Sequence, residues 1–437
     1  MISAFSILFI AALLSLLLHR TLWLKPFAVA ALLLSMLFSS ASVGLSGFAG
    51  SEAITLFTLI LQIVLLALVL HEKNDTTITQ TLFIGTASIA LLQSNTLLSF
   101  VITFEALSII SIVLVSHIKN EEQAEGAVKM FIAGAVATGI LLLGTAFYLM
   151  GGGALEKGIE TDANAFEIVG VFVMLLGVFY KLTIVPMHGW AIDAYALVRH
   201  SHAALLSGVA KTVVAVAAFK FFAAFLAEQI EMSLPLLAVL AVITMTLGNF
   251  LALFQRRISR ILAYSSIAHA GYMLLAFVAV KSEYASTGLL YMAIAYIFMQ
   301  TAVFLVLDTL RHRYAIQTLD DLGGFAKKNR LLAFFFTVQL FSLAGIPLLA
   351  GFLAKAVVFY AVVDAGLWYV VLIALLNSAL SVGYYAWIVK YMYFDESRDV
   401  ASVETEKLPM ISQGILFIGT LYFGVFASII FSAGIHF

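Results

Sequence analysis

Residues 170–190 read GVFVMLLGVFYKLTIVPMHGW, an apolar run that holds one lysine and, shortly after it, one proline. A helix needs about 20 mainly apolar residues to cross a bilayer. Lys181 then falls inside the span, and Pro186 removes a backbone donor, so a helix that crosses here is expected to break. Broken helices at membrane depth are tolerated where protein or water surrounds the freed backbone groups. This stretch therefore predicts a polar niche inside a membrane bundle.

The rest of the chain has the same apolar character. Of its 437 residues, 63% are hydrophobic and 11% are charged, whereas charged residues make up about a quarter of a soluble chain. The apolar runs are long and lack the alternation of a membrane barrel. We predict an all-α polytopic membrane protein of about 14 spans, near 2–19, 26–46, 52–70, 78–95, 97–116, 126–150, 167–188, 202–227, 233–254, 260–280, 285–308, 331–357, 365–392 and 410–433.

The loop cations predict an orientation. Loops after even-numbered spans carry only Lys157 and Lys281, and all other loop cations follow odd-numbered spans. Cytoplasmic loops are enriched in Lys and Arg, so we expect both termini on the outer side. The N-terminal apolar stretch has no basic leader, which favours a first span over a removable signal.

The chain has no cysteine, which excludes a disulfide framework, a thiolate metal site and iron–sulfur ligation. Any redox centre is therefore expected on another subunit, and we predict no metal or cofactor on this chain. The basic residues are scattered among loops, so the sequence predicts no nucleic-acid surface.

Two prolines divide the chain into a repeat. Pro186 and Pro347 fall in the predicted seventh and twelfth spans, which is the spacing of two five-helix repeats, and inverted repeats with broken helices are frequent in transporters. We therefore predict an N-terminal three-helix segment (1–77), a first repeat (78–232), a second repeat (233–393), and a cytoplasmic loop with a C-terminal helix (394–437).

Glu105 and Lys181 are the first candidates for a proton path. Glu105 lies inside the apolar run SFVITFEALSIISIVLV, where a charge costs at least ~3 kcal/mol. Burial disfavours the charged form of a lysine and a nearby carboxylate restores it, so a Glu–Lys pair of variable distance is a proton switch. The alternatives are a structural ion pair for Glu105 and snorkelling to the interface for Lys181.

Three further candidates follow along the chain. Lys211 lies near the middle of the eighth predicted span, His269 lies in the tenth among serines and a tyrosine, and Lys355 follows Pro347. Imidazole titrates near neutrality and can pass a proton. The alternatives are a hydrogen-bonded packing role for His269 and snorkelling for Lys355.

Secondary candidates for the path are Lys129, His188 and Asp193. Lys129 lies one turn into the sixth predicted span, behind an acidic stretch, and is either an anchor or a link in the path. His188 and Asp193 follow the first break and suit a cytoplasmic access route, although a capped helix end has the same pattern.

Four segments carry a resemblance to a known family: YKLTIVPMHGWAIDAY (180–195), LLSGVAKT (205–212), GNFLALFQRRISRILAYSSIAHAGYM (248–273) and SLAGIPLLAGFLAKAVVF (342–359). They resemble the antiporter-like membrane subunits of complex I, whose wider superfamily includes Mrp antiporter and membrane-bound hydrogenase subunits. AYSSIAHAGY and YMAIAYIFMQTAVFLVL (291–307) are most similar to the bacterial NADH–quinone oxidoreductase subunit N type. One stretch differs from the sequence pattern of this family, since Ile192 occupies a position where the family usually has proline.

The resemblance implies roles for the matching residues. Glu105 would modulate Lys181, the central lysine of the broken seventh helix, and Lys211 would be the eighth-helix connector. His269 would lie between the halves, Lys355 would serve the second half-channel, and Lys129 would match a sixth-helix lysine.

The expected function is that of a proton-translocating membrane-arm subunit of a complex I-type NADH (or ferredoxin)–quinone oxidoreductase. The family implies FMN, iron–sulfur clusters and quinone on partner subunits, other membrane-arm subunits as partners, and a bacterial or archaeal plasma membrane. The alternatives are an Mrp-type cation/proton antiporter, a hydrogenase-type antiporter-like subunit, and a purely structural membrane scaffold.

Overall fold

The structure, a computed structural model, describes residues 3–43, 49–116, 121–395 and 407–426. Helices account for most of these residues, and the only β contact within them is an isolated bridge between Arg257 and Thr318. In chain order the helices are α1 (Ala4–Leu17), α2 (Leu24–Val43), α3 (Ala49–His71), α4 (Asp75–Leu92), α5 (Leu97–Val115), α6 (Glu121–Met150), α7 (Ala165–Leu182), α8 (Gly189–Leu197), α9 (His200–Ala203), α10 (Lys211–Glu228), α11 (Ile230–Ala252), α12 (Ile258–Val278), α13 (Ala285–Tyr314), α14 (Phe325–Lys328), α15 (Arg330–Ala344), α16 (Ala350–Asp364), α17 (Trp368–Phe394) and α18 (Lys407–Val425).

Ten of the described helices are long and apolar enough to cross a membrane, by length and composition. This agrees with the predicted all-α polytopic fold. The count of about 14 spans and the two inverted repeats remain predictions. The last span was predicted over 410–433, and its final residues lie outside the described part of the chain.

Two helices are interrupted at the predicted prolines. The chain leaves the helix at Leu182 and re-enters one at Gly189, with Pro186 between them. It leaves again at Ala344 and resumes at Ala350, with Pro347 between them. In each break a residue adopts a left-handed backbone conformation directly after the first half-helix. This residue is Thr183 (φ 61°) in the first break and Gly345 (φ 88°) in the second.

A second irregularity lies between α9 and α10. Residues Ala204–Ala210 form a π-helical segment that ends directly at Lys211. Insertions of this kind widen the helix locally and are frequent at functional sites. The segment packs against α13, where Gly208 leaves so little room that an added Cβ would lie 2.4 Å from the hydroxyl of Thr301.

Helix α13 forms the centre of the bundle. The membrane-length part of this helix is completely buried inside the protein, and it packs against α3, α10, α12, α15, α16 and α18. A helix that is apolar all round is expected to be enclosed. Helices α10 and α16, which carry Lys211 and Lys355, therefore both contact α13.

A chain of buried lysines as the candidate functional site

Lys181 lies in the last turn of α7, with 3% of its surface exposed. No described residue gives its ammonium a hydrogen-bond partner. The charge that acts on it is that of Glu105 on α5, whose carboxylate accepts a hydrogen bond from Thr138 on α6 at 2.8 Å. The second carboxylate oxygen of Glu105 has no partner among the described residues. Among the described residues the structure shows no direct bond between Glu105 and Lys181, and the Glu–Lys pair stays a prediction.

Side chains of neighbouring segments bond the backbone at the first break. The indole of Trp190 donates at 3.1 Å to the Tyr180 carbonyl in the last turn of α7, which also accepts from the Thr183 backbone N–H. The backbone N–H of Val185 donates to the hydroxyl of Thr244 on α11 at 3.1 Å. Irregular backbone at membrane depth needs such partners because lipid offers none.

Lys211 is completely buried and uses all of its donors. Its Nζ donates to the Thr183 hydroxyl at 2.8 Å, and to the hydroxyl and carbonyl of Ser266 on α12 at 2.6 and 3.0 Å. It also lies 5.4 Å from the ring centroid of Tyr195. Within the described part of the chain, the Lys211 side-chain nitrogen thus contacts neutral dipoles and an aromatic ring. Lys211 therefore connects the first break to α12.

Ser266 connects Lys211 with Tyr296, which contacts His269. The Ser266 hydroxyl also accepts a hydrogen bond from Tyr296 on α13 at 2.9 Å. The Tyr296 ring lies 5.1 Å from the His269 ring, centroid to centroid. His269 is buried, its Nδ1 bonds the Ser265 carbonyl at 2.9 Å, and its Nε2 has no partner among the described residues.

Lys355 lies beneath the second break, 4% exposed. Its Nζ donates to the carbonyls of Leu343 and Ala344 and to the Ser378 hydroxyl, at 3.1, 3.1 and 3.0 Å. The two carbonyls are the last of α15 and lack helical donors because the helix ends there. The negative end of the helix dipole favours a cation at this place. The Lys355 side chain is therefore almost fully enclosed by the described helices.

The secondary candidates lie on α6 and α8 and at the residue that precedes α8. Lys129 is 45% exposed on its side chain and bonds Glu125 and, at 2.6 Å, Asp193. Arg260 lies 3.9 Å from the same aspartate. His188 begins α8 one turn before Asp193, and its Nδ1 has no partner among the described residues. The structure thus joins Lys129 to Asp193 in an exposed ion cluster, separate from the buried lysines.

A buried ion cluster that was not predicted from the sequence lies at the end of α3 and in the last two turns of α13. Asp308 is 5% exposed and lies 3.7 Å from His71 and 3.7 Å from Arg199. Arg199 also bonds Glu72 at 2.6 Å, and the cluster borders a cavity of about 460 Å³. The available signal was Asp308 itself, an acidic residue directly after the apolar run 291–307.

The sequence of the chain resembles proteins of known families. A family model described as NADH:quinone oxidoreductase/Mrp antiporter, transmembrane, matches residues 94–381. The chain is 35% identical over 343 residues to F(420)H(2) dehydrogenase subunit N of Methanosarcina mazei, which covers 74% of this chain and 69% of the relative. It is 32% identical over 390 residues to NADH-quinone oxidoreductase subunit N of Rhodospirillum rubrum, which covers 84% and 78%.

Solved structures share the fold over nearly the whole chain. A chain of respiratory complex I from Thermus thermophilus with bound aureothin superposes with a TM-score of 0.85 at 25% identity and covers 98% of each chain. A chain of the Mrp complex from Dietzia superposes with a TM-score of 0.87 at 18% identity, covering 99% of this chain and 95% of that one. The second likeness shows the fold alone. The protein belongs to the NADH:quinone oxidoreductase/Mrp antiporter transmembrane family.

Proposed function

We propose that this chain is the proton-translocating membrane-arm subunit of a complex I-type oxidoreductase. The observation that carries the proposal is the burial of three lysines, Lys181, Lys211 and Lys355, beside two helix breaks. Lys211 bonds Thr183 in the first break and Ser266 on α12, and Lys355 bonds the last carbonyls before the second break. Ionisable groups inside a membrane bundle are expensive, and they mark ion and proton paths in membrane proteins. A scaffold would gain nothing from ammonium groups that lack a carboxylate partner.

The proposed mechanism starts at the Glu105–Lys181 pair. When the two side chains approach, the carboxylate stabilises the ammonium and Lys181 holds its proton; when they separate, the proton can leave. Lys181 Nζ and Glu105 Oε1 have no partner among the described residues, and buried polar groups of this kind are where ordered water binds in proteins. Water at these atoms would carry the proton onward.

From Lys211 the path continues through hydroxyl groups. The Ser266 hydroxyl contacts both Lys211 and Tyr296, and Tyr296 lies against His269. His269 would pass the proton towards Lys355 and the outer side. Moving one charge across the membrane costs about 2.3 kcal/mol per 100 mV, so the rest of the complex must drive the chain.

The relatives guide the assignment of partners. F(420)H(2) dehydrogenase and NADH-quinone oxidoreductase differ in the named electron donor, and both relatives are subunits N. We propose that the donor site, FMN, iron–sulfur clusters and quinone site lie on partner subunits, and that other membrane-arm subunits flank this chain. The complex would lie in a bacterial or archaeal plasma membrane with both termini of this chain outside.

The test is a pair of substitutions at Lys181 in membrane vesicles that hold the whole complex. Lys181→Ala removes the titrating group, and Lys181→Arg keeps a positive charge that does not titrate in this pH range. Both variants are expected to lower the number of protons pumped per electron pair while the complex still assembles. Lys157→Ala is the control, since this lysine is 68% exposed beside Glu160. A normal pumping ratio in Lys181→Ala would overturn the proposed function.

A further inference from the structure

Tyr272 lies between His269 and Lys355. It belongs to α12 and is fully buried. Lys355 Nζ lies over its ring at 5.0 Å from the centroid. The His269 ring meets it edge to face, with centroids 5.7 Å apart. The aromatic ring of Tyr272 therefore contacts both groups.

The hydroxyl of Tyr272 bonds neither His269 nor Lys355 but a residue of α11. It accepts a hydrogen bond from the Asn249 amide on α11 at 3.1 Å, and the Asn249 carbonyl oxygen accepts one from Tyr384 on α17 at 2.9 Å. All three side chains are buried. An amide does not titrate near neutral pH, so a bond to Asn249 fixes the ring without offering a proton path.

The surroundings of Lys355 show why a ring face matters there. Its three hydrogen-bond acceptors are two carbonyls and a hydroxyl, all neutral. Lys211, which also bonds only neutral groups, likewise lies over a tyrosine ring, that of Tyr195. Lys181, in contrast, has the charge of Glu105 acting on it. The ring contacts thus accompany the two lysines that lack a carboxylate.

We propose that Tyr272 is a positioning residue for Lys355, whose ring face stabilises the ammonium form while Asn249 and Tyr384 hold the ring in place. The negative face of an aromatic ring attracts a cation and offers no comparable gain to a neutral amine. Tyr272 would then help Lys355 to receive the proton after His269. This inference rests on the proposed function of the chain.

The experiment compares two substitutions that both remove the hydroxyl. Tyr272→Phe keeps the ring, and Tyr272→Met replaces it with a flexible apolar side chain. The number of protons pumped per electron pair is measured in vesicles that hold the whole complex. The decrease of this number in Lys181→Ala defines the share of pumping that this subunit contributes. We expect Tyr272→Phe to keep most of that share and Tyr272→Met to lower it about three- to thirty-fold, the range for a cation–ring contact.

Further variants keep the test decisive. Tyr148→Met, at a buried tyrosine on α6 whose hydroxyl accepts from the Glu160 backbone, controls for the loss of any buried ring. If Tyr272→Met fails to assemble, trifluorophenylalanine at position 272 retains the shape of the ring and weakens its negative face, and should lower pumping in the same way.

Two results would overturn the inference while leaving the proposed function intact. A loss in Tyr272→Phe equal to that in Tyr272→Met would make the hydroxyl the active group. A normal share in Tyr272→Met, or with the fluorinated ring, would show that the ring face is not needed. A normal ratio in Lys181→Ala would instead reject the proposed function itself.

Discussion

At the scale of single residues, the three lysines differ in what stabilises their charge. Lys181 has no hydrogen-bond partner among the described residues, whereas Lys211 and Lys355 each donate to three neutral acceptors. Buried charged groups require hydrogen bonds or charged partners because apolar surroundings do not solvate them. In the proposed mechanism the first lysine would act as the switch, and the other two would receive the proton in a fixed position.

A substitution at Gly345 tests the position of the Lys355 side chain. Its backbone has φ 88°, and an added Cβ would lie 3.3 Å from Lys355 Cδ and 3.4 Å from Nζ. We predict that Gly345→Ala lowers pumping because the new methyl group crowds the lysine, in addition to a backbone cost of about 1–2 kcal/mol. Proton pumping and thermal stability are measured on the same preparations.

Gly366→Ala is the matched control for that substitution. Gly366 has a similar φ of 81°, and no atom lies within 4 Å of its added Cβ. The two variants should lose similar thermal stability, and only Gly345→Ala should lose pumping. Equal pumping in both would contradict the assigned contact with Lys355.

At the scale of elements, small residues allow α6 and α7 to pack closely. An added Cβ at Gly170 would lie 2.5 Å from the Tyr148 backbone nitrogen and 2.7 Å from the Gly144 carbonyl oxygen. Helices in membranes associate through such close backbone contacts, since lipid provides no hydrophobic driving force between them. The position of Lys181, at the end of α7, depends on this contact.

We predict that Gly170→Ala destabilises the protein by about 1–3 kcal/mol, the usual cost of overpacking a tight contact. The measurement is the midpoint of thermal unfolding in detergent. Gly139→Ala on α6 is the control, because nothing lies within 4 Å of its added Cβ. A midpoint for Gly170→Ala equal to that of the control would show that the two helices can separate without cost.

At the scale of the whole molecule, the Asp308 cluster joins distant parts of the chain. It brings together the ends of α3 and α13, Arg199 between α8 and α9, and α9 itself, where the Ser201 backbone N–H donates to Asp308 at 3.2 Å. A buried ion group of this kind costs little when complete and much when one partner is removed.

We predict that Asp308→Asn destabilises the protein by about 1–3 kcal/mol, because the buried carboxylate that accepts from the Ser201 N–H and faces His71 loses its charge. Arg199 keeps its bond to Glu72 in this variant. The lowered stability should appear as earlier thermal unfolding and weaker assembly on native gels. Asp320→Asn is the comparison, since this carboxylate is 55% exposed and lies 3.9 Å from Arg256; exposed pairs contribute about 0–1 kcal/mol. Similar unfolding of both variants would argue against a structural role for the cluster.

The sequence by itself determined the membrane-embedded helical fold, the position of both breaks and the candidate lysines. These properties are local: hydrophobicity over about 20 residues sets a span, and a proline interrupts its own helix. A charged residue inside an apolar run is visible without any partner. The roles of these residues, the repeat boundaries and the orientation remain predictions.

Only the tertiary structure decided which groups meet. Thr183, Ser266 and Ser378 became partners of the lysines because residues far apart in the chain pack side by side. Tyr272 carried no sequence signal, since buried aromatic residues are ordinary in apolar helices. Lys129 was placed on an exposed ion pair by the packing of α6 against α8. Packing is a property of the whole bundle, and no local pattern encodes it.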